Sequence, residues 1–117
     1  MFELESITIN SHKGVYKVHF LESIFEKLAE FNSPEIHIII DKKVKNIYQN
    51  QFVKIQQKLE SALVIEASEI AKSIEKFPDY IENLIINKVR RGNIIVAIGG
   101  GVIQDIACFI SSTFLRG

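Results

Sequence analysis

The sequence predicts an α/β fold: an N-terminal β-hairpin, then a parallel sheet with flanking helices, incomplete at its C-terminus. Three observations predict it. Short aliphatic runs at 35–40, 62–65 and 93–98 are rich enough in isoleucine, leucine and valine to be buried strands. Segments with apolar residues at helical spacing separate them. Strand and helix alternating in this way are the signature of a parallel sheet built with right-handed crossovers.

The elements follow in order. Ile7 and Ile9 alternate with polar neighbours, Ser11-His12-Lys13-Gly14 supplies a turn, and Val15 to Phe20 alternates again, which reads as a hairpin. Leu21 to Phe31 carries Leu21, Ile24, Phe25 and Leu28 on one helical face, and Asn32-Ser33-Pro34 breaks it. Glu35 to Ile40 is a strand ending at Asp41. Val44, Ile47, Tyr48, Phe52, Ile55 and Leu59 predict a helix over 44–59, and Ala62 to Ile65 a short strand. Ile74, Phe77, Ile81, Leu84, Ile85 and Val89 predict a long helix over 73–91, with Pro78 marking a kink or a late start. Asn93 to Ile98 is a third buried strand, Gly99-Gly100-Gly101 follows, and Val102 to Leu115 is a helix.

Composition narrows the function. A length of 117 residues suits one domain or part of a larger one, and 47% hydrophobic residues are enough for a core, which excludes a disordered tail. Lys and Arg total 14, as do Asp and Glu, so the zero net charge argues against a general electrostatic grip on nucleic acid or membrane. The longest apolar stretches fall far short of the ~20 residues that span a bilayer. The first residues carry Glu3 and Glu5 and lack a basic, apolar leader. A single cysteine, Cys108, excludes an internal disulfide framework and a cysteine-rich zinc site. These features together suit a reducing cytoplasm.

The strongest local signal is strand, glycine turn, helix at Ile94 to Asp105. Glycine lets the backbone take positive φ and lets a ligand come close. The helix that follows offers unpaired N–H groups and the positive end of its dipole, which together make a phosphate site. The usual dinucleotide fingerprint needs a third glycine where Gln104 stands. An acid ends an earlier strand, Asp41, so a Rossmann-like site with a different strand order remains open.

Gly99-Gly100-Gly101-Val102-Ile103-x-Asp105, followed by Phe109 and Thr113-Phe114-Leu115-Arg116-Gly117, resembles 3-dehydroquinate synthase and its sugar-phosphate cyclase relatives. Their pattern is a glycine triplet, two aliphatics, usually a glycine, an aspartate, a phenylalanine four later and an Arg-Gly at the helix end. Ile39-Ile40-Asp41-x-Lys43-Val44 and Glu69-x-x-Lys72-Ser73 resemble two further family segments in the same order. The resemblance spans Glu35 to Gly117.

The resemblance implies roles residue by residue. Asp41 would bind the adenosine ribose of NAD; alone it reads as an ordinary strand-end acid. Lys43, where the family commonly has asparagine, would contact the same cofactor. Glu69 and Lys72 match cofactor contacts; alone they read as an exposed i, i+3 ion pair. Gly100, Gly101 and Val102 match backbone along the pyrophosphate. Asp105 matches another cofactor contact; alone it reads as a first-turn carboxylate favoured by the helix dipole. Gln104 either fills space between helix and sheet or alters the pocket. Arg116 matches an arginine that reaches a substrate phosphate, from the neighbouring subunit in some members. On a continuous helix Asp105, Phe109, Ser112 and Arg116 share a face.

The remaining conspicuous residues read as structural. His12, His19 and His37 lack ligand spacing and suit surface or satisfied strand positions. Cys108 suits packing. Lys42-Lys43-x-Lys45 suits a solvated helix start, with a phosphate or 2′-phosphate contact as the alternative.

The family reaction converts a phosphorylated seven-carbon keto acid to 3-dehydroquinate with loss of phosphate, in the shikimate route to aromatic amino acids. It uses NAD and a divalent metal, usually zinc, held by a glutamate and two histidines of a second, helical domain. The resemblance therefore implies the NAD-binding N-terminal part of a phosphate-eliminating lyase, a homodimer acting on a small phosphorylated substrate. Residues 1–117 are expected to carry the cofactor half without metal ligands or catalysis of their own. Three alternatives remain: another sugar-phosphate cyclase, a glycerol- or iron-type alcohol dehydrogenase, and a non-catalytic nucleotide-binding remnant.

Overall fold

In the computed structural model, residues 3–21, 24–28, 30 and 35–115 are described. They fall into two compact units, Met1–Phe31 and Asn32–Gly117.

The first unit is built on strands β1 (Glu3–Ser11) and β2 (Gly14–Leu21), paired antiparallel. Gly14, at φ +132°, closes the turn, and the Ser11 hydroxyl accepts from the Lys13 N–H and donates to the Gly14 carbonyl. The register sets Ile7 opposite Val18 and Ile9 opposite Tyr16, which gathers the apolar side chains on one face. Leu21 pairs with Glu3, so it ends β2 and does not begin the expected helix; the helix here is α1 (Phe25–Leu28). The expected break at residues 32–34 lies outside the described residues.

The second unit holds three parallel strands, β3 (Ile36–Asp41), β4 (Leu63–Ile65) and β5 (Ile94–Ile98), in the order β4-β3-β5. The order fits the sequence, because central β3 is buried at every position from Ile36 to Ile40. β5 lies at the edge of this sheet, and only Ile98 along it is buried, so the expectation of a fully buried third strand fails.

Helices α4 (Phe77–Ile86) and α5 (Gly101–Thr113) share one core with β3 and β4: Ile39, Ile65, Leu84, Ile103, Ile106 and Ile110 are at its centre. Strand residues alternate between faces, and α3 (Gln56–Glu60) also packs on β3. Pro78 falls in the first turn of α4, where its missing N–H costs nothing, so the late start holds. A tight 3-10 turn at Ile74–Lys76 replaces the first part of the expected helix, and another at Glu69–Lys72 precedes it. Ile74 and Ile85 consequently face outward, and Tyr80 takes a core position.

The helix expected over 44–59 is interrupted as well. It divides into α2 (Lys42–Tyr48), 3-10 turns at Gln49–Gln51 and Val53–Ile55, and α3. A 3-10 turn aligns residues three apart. That aligns Phe52 with Ile55, and both are buried along with Leu59, while Ile47 and Tyr48 stay exposed. Among the described residues no helix is long and apolar enough to cross a membrane.

His37 is the one buried polar side chain of the described core, 4% exposed, with Nε2 at 3.0 Å from Asn83 Oδ1 of α4. The neutral ring donates that proton. Burial lowers its pKa below the ordinary 6.5, with Lys58 acting the same way and the Asn83 bond opposing them. A histidine harder to protonate when folded gives stability present above pH 6.5 and lost as pH falls below it toward the folded value. Urea unfolding at pH 7.5 and 5.5 should show a lower midpoint at the acidic pH, and His37→Gln should shrink the difference. An unchanged difference in the variant would remove His37 from the cause.

Candidate functional site

The chain adds β4 to one side of β3 and then crosses to add β5 on the other. Such a reversal leaves a crevice beyond the carboxyl ends of the two strands, the usual ligand position in open α/β sheets. Ile40 pairs with Ile98, so the residues that follow, Asp41 and Gly99, stand side by side at the crevice.

Gly99 is the one glycine of the triplet that the protein itself requires. Its φ is +154°, and a Cβ there would meet Ile103 Cγ1 at 2.7 Å, Ile103 Cβ at 3.0 Å and Asp41 Cβ at 3.1 Å. The sequence motif includes it, while the family resemblance assigns the ligand contacts to its neighbours. Gly100 and Gly101 behave differently: a Cβ on either would meet nothing within 4 Å. Their missing side chains leave an open shelf over the first turn of α5. Gly100 is the N-cap, no side chain caps that helix, and no acidic residue lies in its first turn. The N–H groups of the turn therefore face the shelf unclaimed by a side chain.

Asp41 caps α2, with Oδ1 accepting the Lys43 N–H at 2.8 Å. That leaves Oδ2 available at the crevice. Lys43 and Asp41 line one pocket with Lys42, Asn46, Glu66 and Ser68.

Two segments far apart in sequence meet elsewhere along α5. Lys72 Nζ lies 3.1 Å from Glu69 Oε2 and 3.3 Å from Asp105 Oδ2. These contacts, first the Glu69 hydrogen bond and then that of Asp105, raise the Lys72 pKa, so it stays protonated at neutral pH. Asp105 is thus a partner of Lys72, one turn into α5, and the alternative reading of it as a first-turn carboxylate does not hold. The turn that carries Lys72 is anchored from below by the buried Tyr80 hydroxyl, which donates to the Ala71 carbonyl at 2.7 Å. Burial pushes the Tyr80 phenol up, keeping it a donor. Lys72 and Asp105 border a hollow of about 360 Å³ whose walls are Ile74, Phe77, Ile106 and Phe109. Phe77 and Phe109 meet edge to face at 4.7 Å.

Other expectations resolve plainly. Gln104 is exposed and its Nε2 reaches the Gly99 carbonyl at 3.4 Å, so Ile103, 0% exposed, does the packing between helix and sheet. Cys108 is exposed, not packed, because the buried stripe of α5 runs through Ile103, Ile106, Ala107 and Ile110. Asp105, Phe109 and Ser112 are all exposed on α5, but Ser112 lines a separate hollow with Gln104 and Cys108. Arg116 lies outside the described residues. Among the described residues no three His, Cys, Asp or Glu side chains could hold a metal ion.

The contrast within the triplet is testable by urea unfolding. Gly99→Ala should cost at least about 2 kcal/mol, from positive φ and overpacking together. Gly100→Ala should stay within about 0.5 kcal/mol of the parent. Equal losses at both positions would contradict the assigned division of roles.

Residues 62–117 match the family model described as 3-dehydroquinate synthase N-terminal. Curated relatives named 3-dehydroquinate synthase match nearly the whole chain. That of Staphylococcus epidermidis is 36% identical over 113 residues, covering 96% of this chain and 31% of the relative. That of Streptococcus equi subsp. equi is 31% identical over 118 residues, covering 97% and 33%. That of Thermoanaerobacter sp. is 30% identical over 125 residues, covering 97% and 34%. The chain spans about a third of the length of these relatives. No solved structure matches it significantly. The chain is thus similar to 3-dehydroquinate synthases over about a third of their length, and its residues 62–117 to the family's N-terminal model.

Proposed function

We propose that the chain is the dinucleotide-binding part of a 3-dehydroquinate synthase and holds NAD in the crevice beyond β3 and β5. The observation that carries the reading is the open shelf at Gly100 and Gly101 beside Asp41. Two glycines that no protein atom requires, over an uncapped helix start, fit a ligand that lies against the backbone. The donor set fits a dinucleotide: N–H groups for a pyrophosphate and a carboxylate oxygen for a ribose hydroxyl.

Each residue then has a task. Gly100, Gly101 and Val102 present backbone to the pyrophosphate. Asp41 accepts from the adenosine ribose through the oxygen not used in its cap. The cluster of Glu69, Lys72 and Asp105 carries a net charge of −1, which suits hydroxyl and amide groups better than phosphate. It orients the rest of the cofactor, with Lys72 as donor. The apolar walls of Phe77, Ile106 and Phe109 keep water from that side. NAD, when bound, supplies a reversible hydride acceptor. The metal of the family reaction finds no ligand set among the described residues. Conversion of a phosphorylated keto acid to 3-dehydroquinate is proposed for the whole enzyme, a protein of the relatives' length.

Calorimetric titration of NAD into the chain, to millimolar ligand, tests the reading. Saturable one-to-one binding is expected, weakened at least about tenfold (~1.4 kcal/mol) by Gly100→Val. Failure to bind, or equal binding by that variant, would overturn it.

A further inference from the structure

Gln104 claims two successive carbonyls of the glycine turn. Its backbone N–H donates to the Gly100 carbonyl at 3.1 Å, a helix-type bond that takes in the N-cap of α5. Its side-chain Nε2 donates to the Gly99 carbonyl at 3.4 Å. Any residue except proline can make the first bond. The second needs a side-chain donor that reaches back past the N-cap. The glycine usual at this place in the family pattern has none, so the bond belongs to this chain's own sequence.

The consequence follows from peptide geometry. Among the described residues every peptide bond is trans, so the C=O and N–H of one planar unit point in opposite directions. The Gly99 carbonyl and the Gly100 N–H share one such unit, and the Gly100 carbonyl and the Gly101 N–H share the next. A carbonyl held on one side therefore aims the following N–H to the other. Gln104 lies on the flank of α5 over β5, where it shares a hollow with Ile95, Ala97 and Cys108. The other side is the crevice, where Gly99 approaches Asp41 and the space at Gly100 and Gly101 is open. The Gly99–Gly100 unit needs a hold of this kind. Both of its residues are glycine, so no Cβ resists rotation of its plane. Successive N–H groups aimed the same way make an anion-binding concavity.

We propose that Gln104 is a positioning residue for the glycine turn. Its side-chain amide holds the Gly99 carbonyl on the β5 flank and so keeps the Gly100 N–H aimed at the shelf. The proposal rests on the dinucleotide reading for the identity of the ligand and deepens it. The brace itself exists without a ligand and can be read without one.

The test is Gln104→Met, which keeps the length and helix preference of the side chain and removes its donor. Gln104 is exposed, so the variant should unfold in urea with the parent. Without ligand, nitrogen relaxation dispersion should show new exchange broadening at the Gly100 amide. Gly101 should show none, because the carbonyl of its peptide unit keeps the backbone bond. In calorimetric titration, NAD should bind the variant about threefold more weakly, the scale of one exposed hydrogen bond. A Gly100 amide as sharp in the variant as in the parent would overturn the proposal. So would equal NAD affinity of the two, and either result would leave the dinucleotide reading standing. Failure of the parent to bind NAD would overturn that reading, and with it the role of Gln104 toward a ligand.

Discussion

The close approach of Gly99 to Asp41 and Ile103 is the constraint on which the site depends. β3 and β5 must be neighbours for their ends to meet, and the turn must leave β5 at positive φ to clear Ile103 and start α5. Only glycine satisfies both demands. Once the turn is fixed, the positions of Gly100, Gly101 and the first N–H groups of α5 follow, and so does their proximity to the Asp41 carboxylate. The same turn buries Ile103, whose packing joins α5 to the sheet.

A second anchor works at lower exposure to solvent. The Tyr80 hydroxyl fixes the Ala71 carbonyl within the core, and Lys72 lies one residue further along the same tight turn. The fold thus locates Lys72 through a buried hydrogen bond, a net gain of about 1 kcal/mol for such a bond. The surface contacts of Lys72 with Glu69 and Asp105 orient its ammonium and add little stability. Stability and site geometry are in this way carried by different atoms.

Much of this was legible in the sequence, and the reasons are local. The isoleucine run of β3, the glycine turn and α5 are strong signals over contiguous residues, and the structure bears them out. Motif resemblance points to Asp41, Lys43, Glu69, Lys72, Gly100, Gly101, Val102 and Asp105. The structure brings Glu69, Lys72 and Asp105 together, and Asp41 beside the turn. Periodicity alone could not reveal that the 44–59 stripe is broken, because residues three apart suit α and 3-10 geometry alike. Nor could it tell that Tyr80 replaces Ile74 in the core, since that depends on where α4 begins. The exposed edge of β5 and the pocket of Lys42, Lys43 and Glu66 are products of strand order, which lies in no single segment.

The most direct test of the central claim is an amide NMR map of the chain titrated with NAD. The account predicts that the largest shifts fall on Gly100, Gly101, Val102 and Lys43, the backbone around the crevice beyond β3 and β5. Shifts confined to the apolar hollow of Phe77 and Phe109, or to the open edge of β5, with the glycine turn unmoved, would contradict it.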